Sequence, residues 1–124
     1  MTTTLTPTET VRAFMKAMEI NDLAGAAAYV ADNCEYTNIP LATTVYGPAG
    51  IAEVLGPFAA GISENEFQIL REAAAGPIVF VERLDRHHFA HGWRELPVTG
   101  VFEITDEGKI SAWRDYFDRR AMKS

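Results

Sequence analysis

Two aspartates, an arginine, a tyrosine and an asparagine fall where the chain's own alternation calls for buried strand faces. They are Tyr36 and Asn38, Arg83 and Asp85, and Asp115 inside the run Trp113-Arg114-Asp115-Tyr116-Phe117-Asp118. Two carboxylates bracketing one arginine in apolar surroundings suit acid–base chemistry on a small neutral molecule. Like charges held close resist ionising together, so one carboxyl can keep a proton while the arginine steadies the other. Taken singly, each residue has an ordinary structural explanation: Arg83 with Asp85 as a cross-strand salt bridge, Asp115 as a structural ion pair, Tyr36 and Asn38 as polar core groups. Their combination points to a site.

These residues need strands to position them. In Ile78 to Phe89 side chains alternate, so Val79, Val81, Arg83, Asp85 and His87 face one way, while Phe80, Glu82 and Leu84 face the other. Two valines leading into the charged pair place those charges inside. Cys34, Tyr36 and Asn38 share one face of an extended segment that begins at Asn33 and ends at Pro40. Ser111, Trp113, Asp115 and Phe117 share a face of the last candidate strand, Lys109 to Asp118. A carboxylate between two aromatics is costly unless it is paired or hydrogen-bonded.

The remaining elements follow from capping and turn signals. Thr6-Pro7-Thr8-Glu9 reads as a capping box with proline at the first helical position, which predicts a helix from about Pro7 to about Glu19. Val11, Phe14, Met15 and Met18 form its apolar stripe. After a tight turn at Asn21, Asp22 can cap a second helix through the alanine-rich Leu23 to Val30. A short strand over Thr43 to Tyr46 follows, then a third helix opened by Gly47-Pro48 and interrupted or closed by Gly56-Pro57. Glu66 to Ala74 and Arg94 to Thr105 are further long strands, with turns at Gly76-Pro77 and Asp106-Glu107-Gly108. Helices first and long antiparallel strands last predict an α+β domain. A curved mixed sheet wraps around N-terminal helices, and a cavity lies between its concave face and those helices.

At 124 residues and 48% hydrophobic, the chain is long enough for one core and fits a single domain spanning 1–124. Its net charge of −6, with no basic run longer than Arg119-Arg120, argues against nucleic acid as a partner. No apolar stretch approaches a membrane span. One cysteine, Cys34, cannot form an internal disulfide, and Met1-Thr2-Thr3-Thr4 lacks the order of a signal peptide, so the expected compartment is the cytoplasm. His87, His88 and His91 invite a metal reading. On a strand, however, residues four apart are about 13 Å apart and cannot share one ion without a bend. Cys34 reads as core filling, with no histidine near it in a nucleophile pattern.

At these residues the sequence resembles the limonene-1,2-epoxide hydrolase family. The resemblance is carried by Cys34-Glu35-Tyr36-Thr37-Asn38-Ile39-Pro40, by Glu82-Arg83-Leu84-Asp85, and by Gly100-Val101-Phe102-Glu103 through Trp113-Arg114-Asp115-Tyr116-Phe117-Asp118. It implies the cone-shaped fold shared with nuclear transport factor 2 and ketosteroid isomerase. It also implies water attack on a small cyclic or terpene epoxide to give a vicinal diol, without a covalent intermediate. By resemblance Asp115 is the general base on a water also held by Tyr36 and Asn38, Asp85 is the general acid, and Arg83 bridges both. Met15, Met18, Leu96, Val98, Trp113 and Phe117 are expected to form an apolar substrate wall. A homodimer is implied by the family, and no metal or organic cofactor is. The run Arg86-His87-His88-Phe89 departs from the more apolar segment expected there and bears on substrate preference. Two other functions fit the same fold. One is an isomerase or polyketide cyclase using one aspartate as base; the other is a non-catalytic small-molecule-binding or dimerisation module.

Overall fold

A computed structural model describes residues 5–122; the polar start Met1–Thr4, read above for signal-peptide order, lies outside the described residues. The elements in chain order are α1 (Pro7–Glu19), α2 (Leu23–Ala27), β1 (Val30–Asn38), β2 (Thr43–Tyr46), α3 (Gly47–Ala60), β3 (Glu64–Ala75), β4 (Ile78–Phe89), β5 (Gly92–Ile104) and β6 (Ile110–Tyr116). A single 3-10 turn, Arg119–Met122, closes the described chain. The six strands form one curved, open, mixed sheet in the order β2-β1-β6-β5-β4-β3. Only β1 and β6 pair in parallel; every other neighbouring pair is antiparallel. Register shifts with extra residues in β1, β3 and β6 interrupt the ladders, and such irregularities bend strands.

Helix α1 begins as its capping box requires. Glu9 N donates to Thr6 Oγ1 at 3.2 Å and Thr6 N to Glu9 Oε1 at 2.9 Å. Its stripe buries Val11, Phe14 and Met15 against the concave face, where Val79, Val81, Phe102 and Ile110 are also buried. Phe14 meets Trp113 edge-on at 5.2 Å, and Trp113 stacks on Tyr36 at 4.0 Å. Full burial of one such side chain contributes about 1.5–3 kcal/mol. The core thus leads directly from α1 to the site strands.

Three expectations are corrected. The second helix stops at Ala27 instead of continuing to Val30. Val30 pairs with Ile110 across β1 and β6, and Ile110 N donates to Tyr29 O at 2.8 Å. Sheet pairing therefore overrides the helical preference of the alanines. Gly56-Pro57 neither interrupts nor closes α3, which runs on to Ala60. Pro57 sits in its final turn, where the missing N–H withdraws one bond from the exposed Glu53 and little helix remains to be disrupted. The last strand ends at Tyr116, short of Asp118. Asp118 instead accepts from Arg120 N at 2.9 Å and starts the 3-10 turn.

Candidate active site

The sheet order explains how residues from three strands converge. Parallel pairing sets Tyr36 beside Trp113 and Asn38 beside Asp115. On the other side of β6, Asp115 is opposite Gly100 of β5, and Gly100 is opposite Val81 of β4. Arg83, two residues along the same face as Val81, reaches across β5 over the space above Gly100. There Arg83 Nη2 donates to Asp115 Oδ1 at 3.1 Å. The same guanidinium grips Asp85 with two bonds, Nε to Oδ1 at 2.7 Å and Nη2 to Oδ2 at 3.2 Å. Asp115 accepts two further bonds, from Trp113 Nε1 at 2.9 Å and from the Tyr36 hydroxyl at 3.2 Å.

Burial governs the electrostatics. Arg83, Asp85, Asp115 and Tyr36 are all buried. Desolvation holds the Asp85 carboxyl above the usual carboxylate range, and it outweighs the opposing pull of Arg83. For Arg83 burial acts to lower the pKa, but the charges of Asp115 and Asp85 prevail and raise it, so the guanidinium is a fixed cation. Burial raises the Tyr36 phenol as well, with the charge of Asp115 adding to it. Tyr36 is therefore a neutral donor. Two buried polar atoms of this site, Asn38 Oδ1 and Arg83 Nη1, have no hydrogen-bond partner among the described residues. Buried groups of this kind are normally satisfied by ordered water or ligand.

These groups line a cavity of about 270 Å³. All eleven residues picked out from the sequence line it: the five polar residues together with Met15, Met18, Leu96, Val98, Trp113 and Phe117. Met15 and Met18 come from α1, Leu96 and Val98 from β5, and Phe117 from the segment just past β6. A volume of this size accepts a small molecule and lies just under the span of about 300–1,000 Å³ common for ligand pockets.

Four contributions were not read from the sequence. Gly100 makes room for Arg83: a Cβ there would lie 2.6 Å from Arg83 Nη1 and 3.2 Å from Asp115 Oδ1. A lone glycine on the inward face of a strand, between Val98 and Phe102, was the available signal. Trp113 is more than an apolar wall, since its indole N–H holds Asp115. Val54, Leu55 and Ala59 of α3 supply a further wall. Asn65 lines the cavity from β3, which starts at Glu64, ahead of the predicted Glu66.

The three histidines are separated by the strand geometry. His87 is buried and lines the cavity, His88 faces away and meets Ser63 Oγ at 2.8 Å, and His91 is exposed in the following turn. Among the described residues no three histidine, cysteine, aspartate or glutamate side chains lie together as a metal-binding group. Cys34 is buried, and that burial pushes its thiol up to about 11. No described helix is long and apolar enough to cross a membrane.

Fold and site geometry together define a class: an α+β cone whose concave face holds a carboxyl pair on one arginine. The fold is shared widely. A SnoaL-like polyketide cyclase from Shewanella denitrificans superposes with a TM-score of 0.87 at 15% identity, over 94% of this chain and 93% of that one. A Catenulispora acidiphila protein with a ketosteroid isomerase-like fold gives 0.81 at 20%, over 94% and 90%. Those identities carry the fold alone. The family is narrower. Residues 5–124 match the limonene-1,2-epoxide hydrolase catalytic domain, and the chain belongs to that family. It is 33% identical over 108 residues to the epoxide hydrolase EphG of Mycobacterium tuberculosis, covering 87% of this chain and 70% of that one. A solved LEH-like epoxide hydrolase from M. tuberculosis is 32% identical with a TM-score of 0.80, over 94% of this chain and 85% of that one.

Proposed function

We propose that the protein, as a single domain over 1–124, hydrolyses small cyclic or terpene epoxides to vicinal diols in one acid–base step. A water beside Asp115, Tyr36 and Asn38 gives one proton to Asp115 and directs its other hydrogen to Asn38 Oδ1, an acceptor buried without a partner among the described residues. Its oxygen attacks a ring carbon as the ring C–O bond breaks, and Asp85 delivers a proton to the departing oxygen. One water is consumed; the aspartates have exchanged protonation states and reset through solvent. Arg83 holds both in register, which favours reaction by positioning as well as by charge.

The observation that carries this reading is the Arg83 bridge, one buried guanidinium bonded to two carboxyls in an apolar pocket, with burial raising the proton affinity of Asp85. The raised proton affinity suits Asp85 to the acid's part. No metal or organic cofactor enters these steps. A homodimer through the outer face of the sheet accompanies the reading, supported by the exposed Phe80, Trp93 and Tyr116 on that face. We assign the protein to the cytoplasm on its single buried cysteine. The test is direct: purified protein given a simple cyclic epoxide should form the vicinal diol, and absence of diol across a panel of small cyclic epoxides would remove the assignment.

A further inference from the structure

A bond that ties α1 to the edge of the sheet ends beside Asp85. Strand β3 is the last in the sheet, with β4 as its one strand neighbour. Phe67 of β3 is the direct cross-strand partner of Asp85. Its backbone N–H is given to Glu19 Oε2 of α1 at 2.8 Å, so it points off the sheet edge and not toward β4. In an antiparallel ladder such a residue belongs to a non-hydrogen-bonded pair, the kind in which facing side chains stand closest. Phe67 therefore stands beside Asp85 on the inward face, where both line the cavity and the ring also meets His87 edge-on at 6.1 Å.

Glu19 is the last residue of α1, and an acidic side chain there opposes the helix dipole. What offsets that cost is its bonding: Oε1 accepts from Lys16 Nζ at 3.1 Å, and Oε2 makes the charge-assisted bond to the strand. Water would otherwise take an N–H on a sheet edge. Burial is what raises Asp85, and toward the edge that burial depends on where Phe67 is held. We propose that Glu19 is a positioning residue for Asp85: by pinning Phe67 to α1 it closes the edge of the sheet beside Asp85 to water. Its importance for turnover rests on the epoxide-hydrolase reading above; the shielding does not.

The carboxyl carbon-13 resonance of Asp85, assigned with Asp85→Asn, is titrated in the wild type, Glu19→Leu, Glu19→Gln, Phe67→Ala and Arg12→Leu, and kcat for diol formation from cyclohexene oxide is followed over the same pH range. Admitting water favours the ionised form, so the midpoint should fall by about one pH unit in Glu19→Leu and in Phe67→Ala. Glu19→Gln keeps an acceptor while removing the charge, and should stay near the wild type. Arg12→Leu breaks the ion pair with Glu72, a second tie between α1 and β3 whose residues do not line the cavity, and should also leave the midpoint in place. The charged and titratable groups around Asp85 are Arg83 and His87 on its own strand, Arg94 opposite His87 on β5, Asp115 on β6 and Tyr36 on β1, and all are kept in these variants. Phe67→Ala leaves Glu19 in place, so the test stands should Glu19→Leu fail to fold. A midpoint unmoved in Glu19→Leu or in Phe67→Ala, or moved as far by Glu19→Gln or Arg12→Leu, overturns the proposal. The high-pH limb of kcat should move down with the midpoint; absence of diol with the midpoint shifts as expected overturns the epoxide reading and keeps the shield, so the two failures are distinct.

Discussion

Arg83 and Arg86 stand three residues apart on β4, and each holds two carboxylates, yet they do different work. Arg86, on the outer face, donates to Glu66 at 2.8 Å and to Glu95 at 2.9 Å, and lies 4.6 Å over the Trp93 ring. Its side chain is 25% exposed and its partners are 40% and 54% exposed. Arg83 is 3% exposed, with Asp85 at 9% and Asp115 at 8%. The consequences run in opposite directions. Glu66 is held below the usual range, first by its hydrogen bond from Gln68 and then by Arg86. Asp85 is held above it by burial. An arginine between two carboxylates thus makes a solvated network on one face and, on the other, a buried bridge in which one carboxyl has a raised proton affinity. Desolvation is what separates them.

The largest expected effects test that contrast by removing one carboxylate at a time. Asp115→Asn and Asp85→Asn should each lower diol formation by roughly a hundredfold or more, and the double variant should lose little beyond the worse single one, because on the proposed route the groups act in one step. Glu66→Gln and Glu95→Gln, made on the outer face, should leave turnover within experimental error. Near-normal turnover in either aspartate variant would break the role assignment.

A smaller contrast comes from the arginines. Arg83→Lys keeps the charge but cannot fork two donors toward Asp85 while reaching Asp115, so kcat should fall by about tenfold or more. Arg86→Lys should shift stability by no more than about 0.5 kcal/mol and leave kcat unchanged. Steady-state kinetics and urea unfolding on the two variants compare the faces directly.

Gly100→Ala sharpens the same point from the backbone. The new methyl would displace Arg83, costing about 1–3 kcal/mol and lowering activity with it. Gly56→Ala meets no neighbour within 4 Å and lies inside α3, so it should stabilise by about 0.5–1 kcal/mol. If Gly100→Ala is silent in both measures, the space above that glycine is not what positions Arg83.

The mildest expected effect is on pH dependence. His87 falls from an ordinary 6.5 to about 4 in the folded state. A depressed histidine resists protonation when folded, so its contribution to stability is full above pH 6.5 and is lost as pH falls toward 4. Between those limits the wild type should lose more stability than His87→Leu does, measured by urea unfolding at several pH values. Equal slopes would contradict the assigned burial of His87. Asp85, shifted upward, carries the opposite sign: its contribution is present at low pH and is lost as pH rises through its raised value.

The positions of the site were legible because β-strands have a strict two-residue period. A charged residue in phase with Val79 and Val81 can only face inward, and the same reasoning applies to Tyr36 behind Cys34 and Asp115 behind Trp113. The α1 boundaries were legible because the capping box is local. What failed was decided by distant partners. Val30 reads as the end of an alanine helix until Ile110 is known to lie beside it. Gly100 reads as a weak point in a strand until the arginine above it is seen. Asn65 was left outside a strand whose first pairs are Glu64 with His88 and Asn65 with His87.

The step that most separates this account from a covalent route is the origin of the new diol oxygen. In a single turnover in oxygen-18 water with enzyme in excess, the proposed route, with water activated by Asp115, would deliver the water oxygen straight to carbon. The first-turnover diol should carry the label, and peptides containing Asp85 and Asp115 should carry none. An attacking aspartate would instead place its own unlabelled oxygen in that diol and take up the label when the ester is hydrolysed. Unlabelled diol with labelled Asp85 or Asp115 would contradict the one-step mechanism even if the substrate class were right.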